Sequence, residues 1–159
     1  MGTHYKGTQK EINVLNSYIK LVRVNETLKS NLYLIFEKEG LTESQFYALD
    51  VLYHLGQMSQ KDLGRKISRS EGNITMVVNN LLRQKLIIKK QNEDDKRIYL
   101  ITLTNEGKNL YEKVFPKFLR TILIEFEGIK EKEHKFFQKI CKRIGLKSLD
   151  NYQLTKFKY

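Results

Sequence analysis

The residues with most to offer chemically lie between positions 60 and 97. From Ser70 to Leu82 the chain sets Ser70, Glu71, Asn73, Thr75 and Asn79 among the apolar residues Ile74, Val77, Val78, Leu81 and Leu82. On a helix that spacing puts the apolar side chains on one face and the polar ones on the other. Asn and Thr both donate and accept hydrogen bonds, and Met76 between them offers an apolar surface of the kind a thymine methyl group meets. Such a face suits the edges of base pairs and breaks no bonds. Gln60, Lys61, Lys66 and Arg69 flank it and suit phosphate contacts. Lys96 and Arg97 form a second basic point, and an arginine there can enter the minor groove, where negative potential concentrates in A·T-rich DNA.

Other chemistry finds little support. There is one cysteine, Cys141, so neither an intrachain disulfide nor a multi-cysteine zinc site can form. Cys141 lies on an apolar stripe with Ile140 and Ile144, where a thiol acts as a small hydrophobe. The histidines, His4, His54 and His134, lack metal-ligand spacing. No nucleophile elbow, phosphate-binding glycine loop or working carboxylate pair is present. Asp94-Asp95 fits a turn, with Asp95 placed to hold Arg97. Neither an enzyme nor a cofactor is expected.

Composition agrees with an anionic partner. The 159 residues carry 29 Lys+Arg against 18 Asp+Glu, a net charge of +11. The excess sits in residues 56–100, with ten basic and five acidic groups, and in 138–159, with six and one. Double-stranded DNA is the expected partner. No apolar run approaches a membrane span and no signal segment opens the chain, so a cytoplasmic protein without a membrane partner is expected.

These residues need scaffolding, and the periodicity supplies it. Residues 10–38 form one long amphipathic helix, roughly 43 Å at ~1.5 Å per residue. That length exceeds what one small globule covers, so the helix is expected to pack against a second copy of the chain. Thr42-Glu43-Ser44-Gln45 is a capping box opening a second helix that Gly56 closes. Ser59 caps a short third helix. Ser68 or Ser70 caps the fourth, about 71–84, and the pair makes a helix-turn-helix. Leu86–Lys90 and Arg97–Leu103 then read as a hairpin with a polar tip. Thr104 caps a further helix to about Glu127, expected to kink at Pro116. A last helix spans about 131–145; residues 146–159 are basic and aromatic and carry no structural assignment.

The expected fold is mainly α with a small β-hairpin wing, a winged helix-turn-helix plus helical dimerisation arms. The corresponding division is 1–40 as N-terminal dimerisation helix, 41–104 as DNA-binding domain, and 105–159 as C-terminal dimerisation helices and basic tail. Tyr18, Phe46, Tyr47, Tyr53 and His54 are candidates for a ligand pocket between arm and DNA-binding lobe. Against that stands the reading of such aromatic stripes as core, and of His54 as a partly buried histidine.

Leu41-Thr42-x-x-Gln45-Phe46, the Ser59–Ile67 segment, Gly72-Asn73-Ile74-Thr75 with Val77-Val78-Asn79-Asn80-Leu81, Asp95-Lys96-Arg97, and Leu103-Thr104-Asn105-Glu106-Gly107 together resemble the MarR family of bacterial transcriptional regulators. Order and spacing match over roughly residues 10–145. The resemblance implies a homodimer joined through its first and last helices, with a winged helix in each subunit. It also implies repression of nearby genes, relieved by a small aromatic effector or an oxidant. The Gly-x-Ile-Thr-x-Val-Val run and Phe115-Pro116 are most similar to the quinone- and phenol-responsive branch. Three positions depart from the pattern. Glu71 stands where a small serine is usual, Lys85 replaces the glycine that ends the recognition helix, and Lys89 replaces an arginine of the wing. Oxidant-sensing relatives carry a cysteine near the start of the first helix, and this chain has none there. Glu71 supports the alternative of a ligand-binding or protein-interaction dimer whose winged helix no longer reads DNA.

Overall fold

The computed structural model describes residues 2–67, 71–93 and 95–154, without the side chains of Glu71 and 146–154. Among the described residues six helices and three short strands follow one another as α1 (Gln9–Lys38), α2 (Glu43–Leu55), β1 (Met58–Ser59), α3 (Gln60–Lys66), α4 (Glu71–Arg83), β2 (Ile87–Gln91), β3 (Tyr99–Leu103), α5 (Asn105–Glu125) and α6 (Glu131–Leu154). The chain divides into two compact units, Met1–Ile122 and Leu123–Tyr159.

In the first unit each helix start follows from a local side chain. The Thr8 side chain accepts from the Glu11 amide while the Glu11 carboxylate takes the Thr8 amide, closing a capping box on α1. Thr42 and Gln45 do the same for α2. Gln45 is buried, and the Thr42 amide at 2.7 Å donates to its Oε1. Ser59 caps α3 through the Asp62 amide, 3.1 Å away.

The core gathers one face from each helix of this unit and from the hairpin: Phe36 from α1, Phe46 and Leu49 from α2, Leu63 from α3, Val78 and Leu81 from α4, Ile87 and Ile101 from the hairpin, Tyr111 and Val114 from α5. Aromatic rings form its centre. Phe46 stacks on Phe36 at 4.7 Å and meets Phe118 at 4.9 Å and Tyr111 at 5.9 Å. Glu39, just past α1, is only 10% exposed and accepts from Lys113 (2.6 Å) and Lys117 (2.8 Å) of α5. Those two ammonium groups hold its carboxyl below the ordinary value.

Of the thirty residues of α1, only Leu32 and Phe36 are buried. Val14, Tyr18, Leu21, Val22 and Val24 are exposed on the rest of the helix.

The hairpin pairs Ile87 with Leu103 through to Gln91 with Tyr99, all antiparallel. β1, which the residue pattern does not signal, adds Met58 opposite Ile101 and Ser59 opposite Leu100 and gives the strand order β1-β3-β2. Two residues are too few to show a period of two. α5 runs through Pro116 without ending.

At the end of α4, Lys85 adopts φ +58°, although its Cβ disfavours the left-handed region. The Leu86 amide bonds the Leu81 carbonyl (3.0 Å) and the Lys85 amide bonds the Leu82 carbonyl (2.9 Å), a Schellman closure. Leu81 and Leu86 are both buried and hold it in place. The Cβ at Lys85 costs about 1 kcal/mol there. Lys85→Gly is therefore expected to stabilise the fold by about 1 kcal/mol less the chain entropy glycine adds when unfolded, read as a higher urea midpoint at an unchanged slope. A lower midpoint would mean that the lysine side chain contributes more than its backbone strain removes.

The second unit begins at Leu123. Phe126 stacks against His134 at 5.7 Å and tilts against Phe137 at 6.5 Å. Its helix α6 continues nine residues beyond the expected end near 145, passing Gly145 and extending to Leu154. Residues 155–159 of the basic tail lie outside the described residues.

Candidate nucleic-acid interface

The interface starts from the close approach of α3 and α4. Gly64 of α3 is buried, and a Cβ there would sit 3.3 Å from the Ile74 side chain. With Ile74, Val77, Val78 and Leu81 turned inward, Asn73, Thr75, Met76 and Asn79 share the exposed face of α4, as the spacing predicts. Lys61 and Lys66 are exposed on α3. Glu71 begins α4. Arg69 and Ser70, with the proposed cap at Ser68 or Ser70, lie outside the described residues.

Gln60, expected only as a phosphate contact, stands between three elements. Its Nε2 donates to Thr75 Oγ1 on α4 (2.9 Å), and its Oε1 accepts from Lys89 Nζ on β2 (3.3 Å). The sequence carried no signal for this, because the three residues are 14 and 15 positions apart and each is polar for its own reason.

At the wing tip, Asp95 holds Arg97 as expected. Arg97 Nε reaches Asp95 Oδ1 (3.0 Å), Nη2 reaches Oδ2 (3.1 Å), and the Arg97 amide also donates to Oδ1 (3.0 Å). The guanidinium keeps the Asp95 carboxyl below its ordinary value. The Arg97 side chain is 90% exposed, so the fork is oriented yet open to solvent. Lys96 beside it is exposed, and Asp94 lies outside the described residues.

The wing is tied to α4 through Thr104, the N-cap of α5. Its hydroxyl donates to the Lys85 carbonyl (2.8 Å) and accepts from the Gly107 amide (3.0 Å), while its own amide bonds the Leu86 carbonyl (3.1 Å). One residue thus joins the recognition helix's end, the last wing strand and the start of α5.

The five aromatic candidates part company. Phe46 is fully buried in the core. Tyr18 is 63% exposed on α1. Tyr47 and Tyr53 are partly buried against the core. His54 is exposed to about half (53%), more open than the sequence reading placed it. Its Nε2 lies 2.9 Å from the Tyr111 hydroxyl, which donates to Asp50 Oδ1 (2.6 Å). The tyrosine's single proton is thereby committed, so the histidine is the donor to it. Burial first, then Asp50, pushes the Tyr111 hydroxyl well above its ordinary value. Tyr53 packs on Tyr111 at 4.5 Å and donates to Glu112. A cleft of about 460 Å³ opens beside Lys29, Tyr33, Phe36 and Leu41, and none of the five candidates lines it.

Cys141 is half-buried. Among the described residues no group of three His, Cys, Asp or Glu can hold a metal, and no helix is long and apolar enough to cross a membrane.

A close helix pair, an exposed polar face on the second helix, and a three-stranded sheet ending in a basic tip define a winged helix-turn-helix. The MarR family model matches residues 41–99. The HTH-type transcriptional regulator MhqR of Bacillus subtilis (strain 168) is 30% identical over 132 residues, 83% of this chain and 91% of that protein. The chain belongs to the MarR family of DNA-binding transcriptional regulators. The fold is also that of AbsC from Streptomyces coelicolor (TM-score 0.81, 18% identity, 92% of this chain and 99% of that one). It likewise matches BpsR of Bordetella bronchiseptica, solved to explain regulation of its DNA binding by 6-hydroxynicotinic acid (TM-score 0.72, 22% identity, 81% and 98% covered).

Proposed function

We propose that the protein is a homodimeric repressor that binds a pseudo-palindromic operator and releases it when a small aromatic effector binds. The observation that carries the reading is the joint presentation of Asn73, Thr75, Met76 and Asn79 on one exposed helix face with Arg97 pre-oriented at the wing. Asn73, Thr75, Met76 and Asn79 read base edges, Arg97 enters the minor groove, and Lys61, Lys66 and Lys96 meet phosphates, with Arg69, Ser70 and Glu71 as further proposed DNA contacts. Two copies place their recognition helices about one helical turn, ~34 Å, apart on successive major grooves. An effector that prefers a different spacing shifts the population away from DNA. The hydroxylated aromatic acid that regulates BpsR supports an effector of that class, with Tyr47, Tyr53 and His54 as its accessible contacts.

A salt titration on an operator found by selection, compared with random DNA, tests this. Arg97→Ala is expected to weaken binding and to reduce the slope of log K against log salt by about one unit. Asn73→Ala and Thr75→Ala are expected to leave the slope alone and to cost roughly 1–3 kcal/mol of discrimination each. If all three bind the operator as wild type does, the winged helix does not read DNA in this way.

A further inference from the structure

We infer that Gln60 is a specificity-determining positioning residue, which couples the wing to the recognition helix so that the two read DNA as one unit; this rests on the DNA-reading function proposed above. A lysine ammonium donates and never accepts, so Lys89 on β2 requires the oxygen of the Gln60 carboxamide to face it. The NH₂ end is then turned toward α4, where it donates to Thr75 Oγ1. The orientation of an amide on α3 is therefore set from the wing, and it fixes in turn how the Thr75 hydroxyl is held on the base-facing side of α4. Gln60 itself is held from a third direction. It follows Ser59, which pairs with Leu100 in the sheet and caps α3. The wing lysine and the recognition helix meet at this one side chain, and the sheet ends at the residue before it.

The coupling assigns Gln60 a role unlike that of a phosphate contact. A neutral amide carries no charge to release counterions, so its loss leaves the salt dependence of binding unchanged. What it controls is which bases Thr75 accepts. Gln60→Met keeps the length and removes both hydrogen bonds. Gln60→Glu keeps the bond from Lys89 but presents only acceptors, so the Thr75 hydroxyl has to donate to it.

The test is a double-mutant cycle on full-length protein, with Gln60→Met, Thr75→Val and the pair. Each is read as the ratio of affinities for a selected operator and for random DNA, with thermal unfolding as the check on folding. Gln60→Met and Thr75→Val are each expected to lower the ratio about tenfold, within the range of one lost base contact. The pair is expected to lower it no further than either alone. Lys89→Met should reproduce part of the loss and also reduce the salt slope, and selection with Gln60→Glu should return an altered base preference at one position per half-site. A wild type that selects an operator while the two losses multiply in the pair would overturn the coupling and leave the DNA-reading function standing. A wild type that selects no DNA would overturn both. Should Gln60→Met unfold early, Gln60→Asn, one methylene too short to span both partners, is expected to show the same pattern.

Discussion

Gly107→Ala is expected to destabilise the protein by about 3 kcal/mol or more and to abolish operator binding. A Cβ at Gly107 would lie 2.0 Å from the Leu86 carbonyl oxygen and 2.9 Å from its carbon, both backbone atoms that cannot swing aside. That carbonyl is the acceptor for the Thr104 amide. Relief of the clash has to separate the start of α5 from the end of α4, and the wing's last strand lies between them. Overpacking of this kind falls among the few substitutions with large effects. Urea denaturation of purified protein measures it, with Gly72→Ala as the control. A Cβ at Gly72 meets nothing within 4 Å, and alanine there favours the helix by a few tenths of a kcal/mol. Equal stability of the two variants would show that the joint at Gly107 is loose.

The second large effect concerns assembly. Tyr18→Glu combined with Leu21→Glu is expected to convert the dimer to a monomer, raising its dissociation constant a hundredfold or more. Val14, Tyr18 and Leu21 fall on one side of α1 at spacings of four and three, and are 62%, 63% and 42% exposed in the single chain. Burying such side chains contributes roughly 1.5–3 kcal/mol each, and placing two carboxylates in the contact reverses that. Neither residue belongs to the buried core of its own chain, so the monomer's winged helix should keep its helical signal. Sedimentation equilibrium at micromolar concentration decides the matter. A variant that stays dimeric would mean that this face of α1 lies outside the dimer contact.

Much of this architecture could be read from residue types because the signals were local. The Thr42–Gln45 capping box, the Ser59 cap and the 3–4 periodicity of Ile74, Val77, Val78 and Leu81 each lie within one helical turn or two, and each reappears in the structure. The Asp95–Arg97 pair was legible for the same reason. The failures were long-range or cooperative. β1 exists only because β3 accepts it. Lys85 takes a conformation its type disfavours because two amides and two buried leucines outweigh the strain. α6 continues past the expected end near 145 to Leu154. The Gln60 bridge spans 15 and 29 positions and the Thr104 bond to the Lys85 carbonyl spans 19, distances at which sequence offers no register. The aromatic candidates shared a residue type but not an environment, so type alone could not separate Phe46 in the core from Tyr18 on the surface.

The bidentate clamp on Arg97 bears on the timing of an entropic loss. An exposed ion pair at a hairpin tip adds little to stability. It does remove rotamer freedom from a long, flexible side chain. That ordering accompanies folding rather than each encounter with a duplex. An arginine that arrives already shaped docks with the same conformation everywhere, so under the proposed function the quantity that varies from one DNA site to the next is the width of the groove receiving it. The wing would then act as a gauge of local DNA shape, with its own stiffness as the reference.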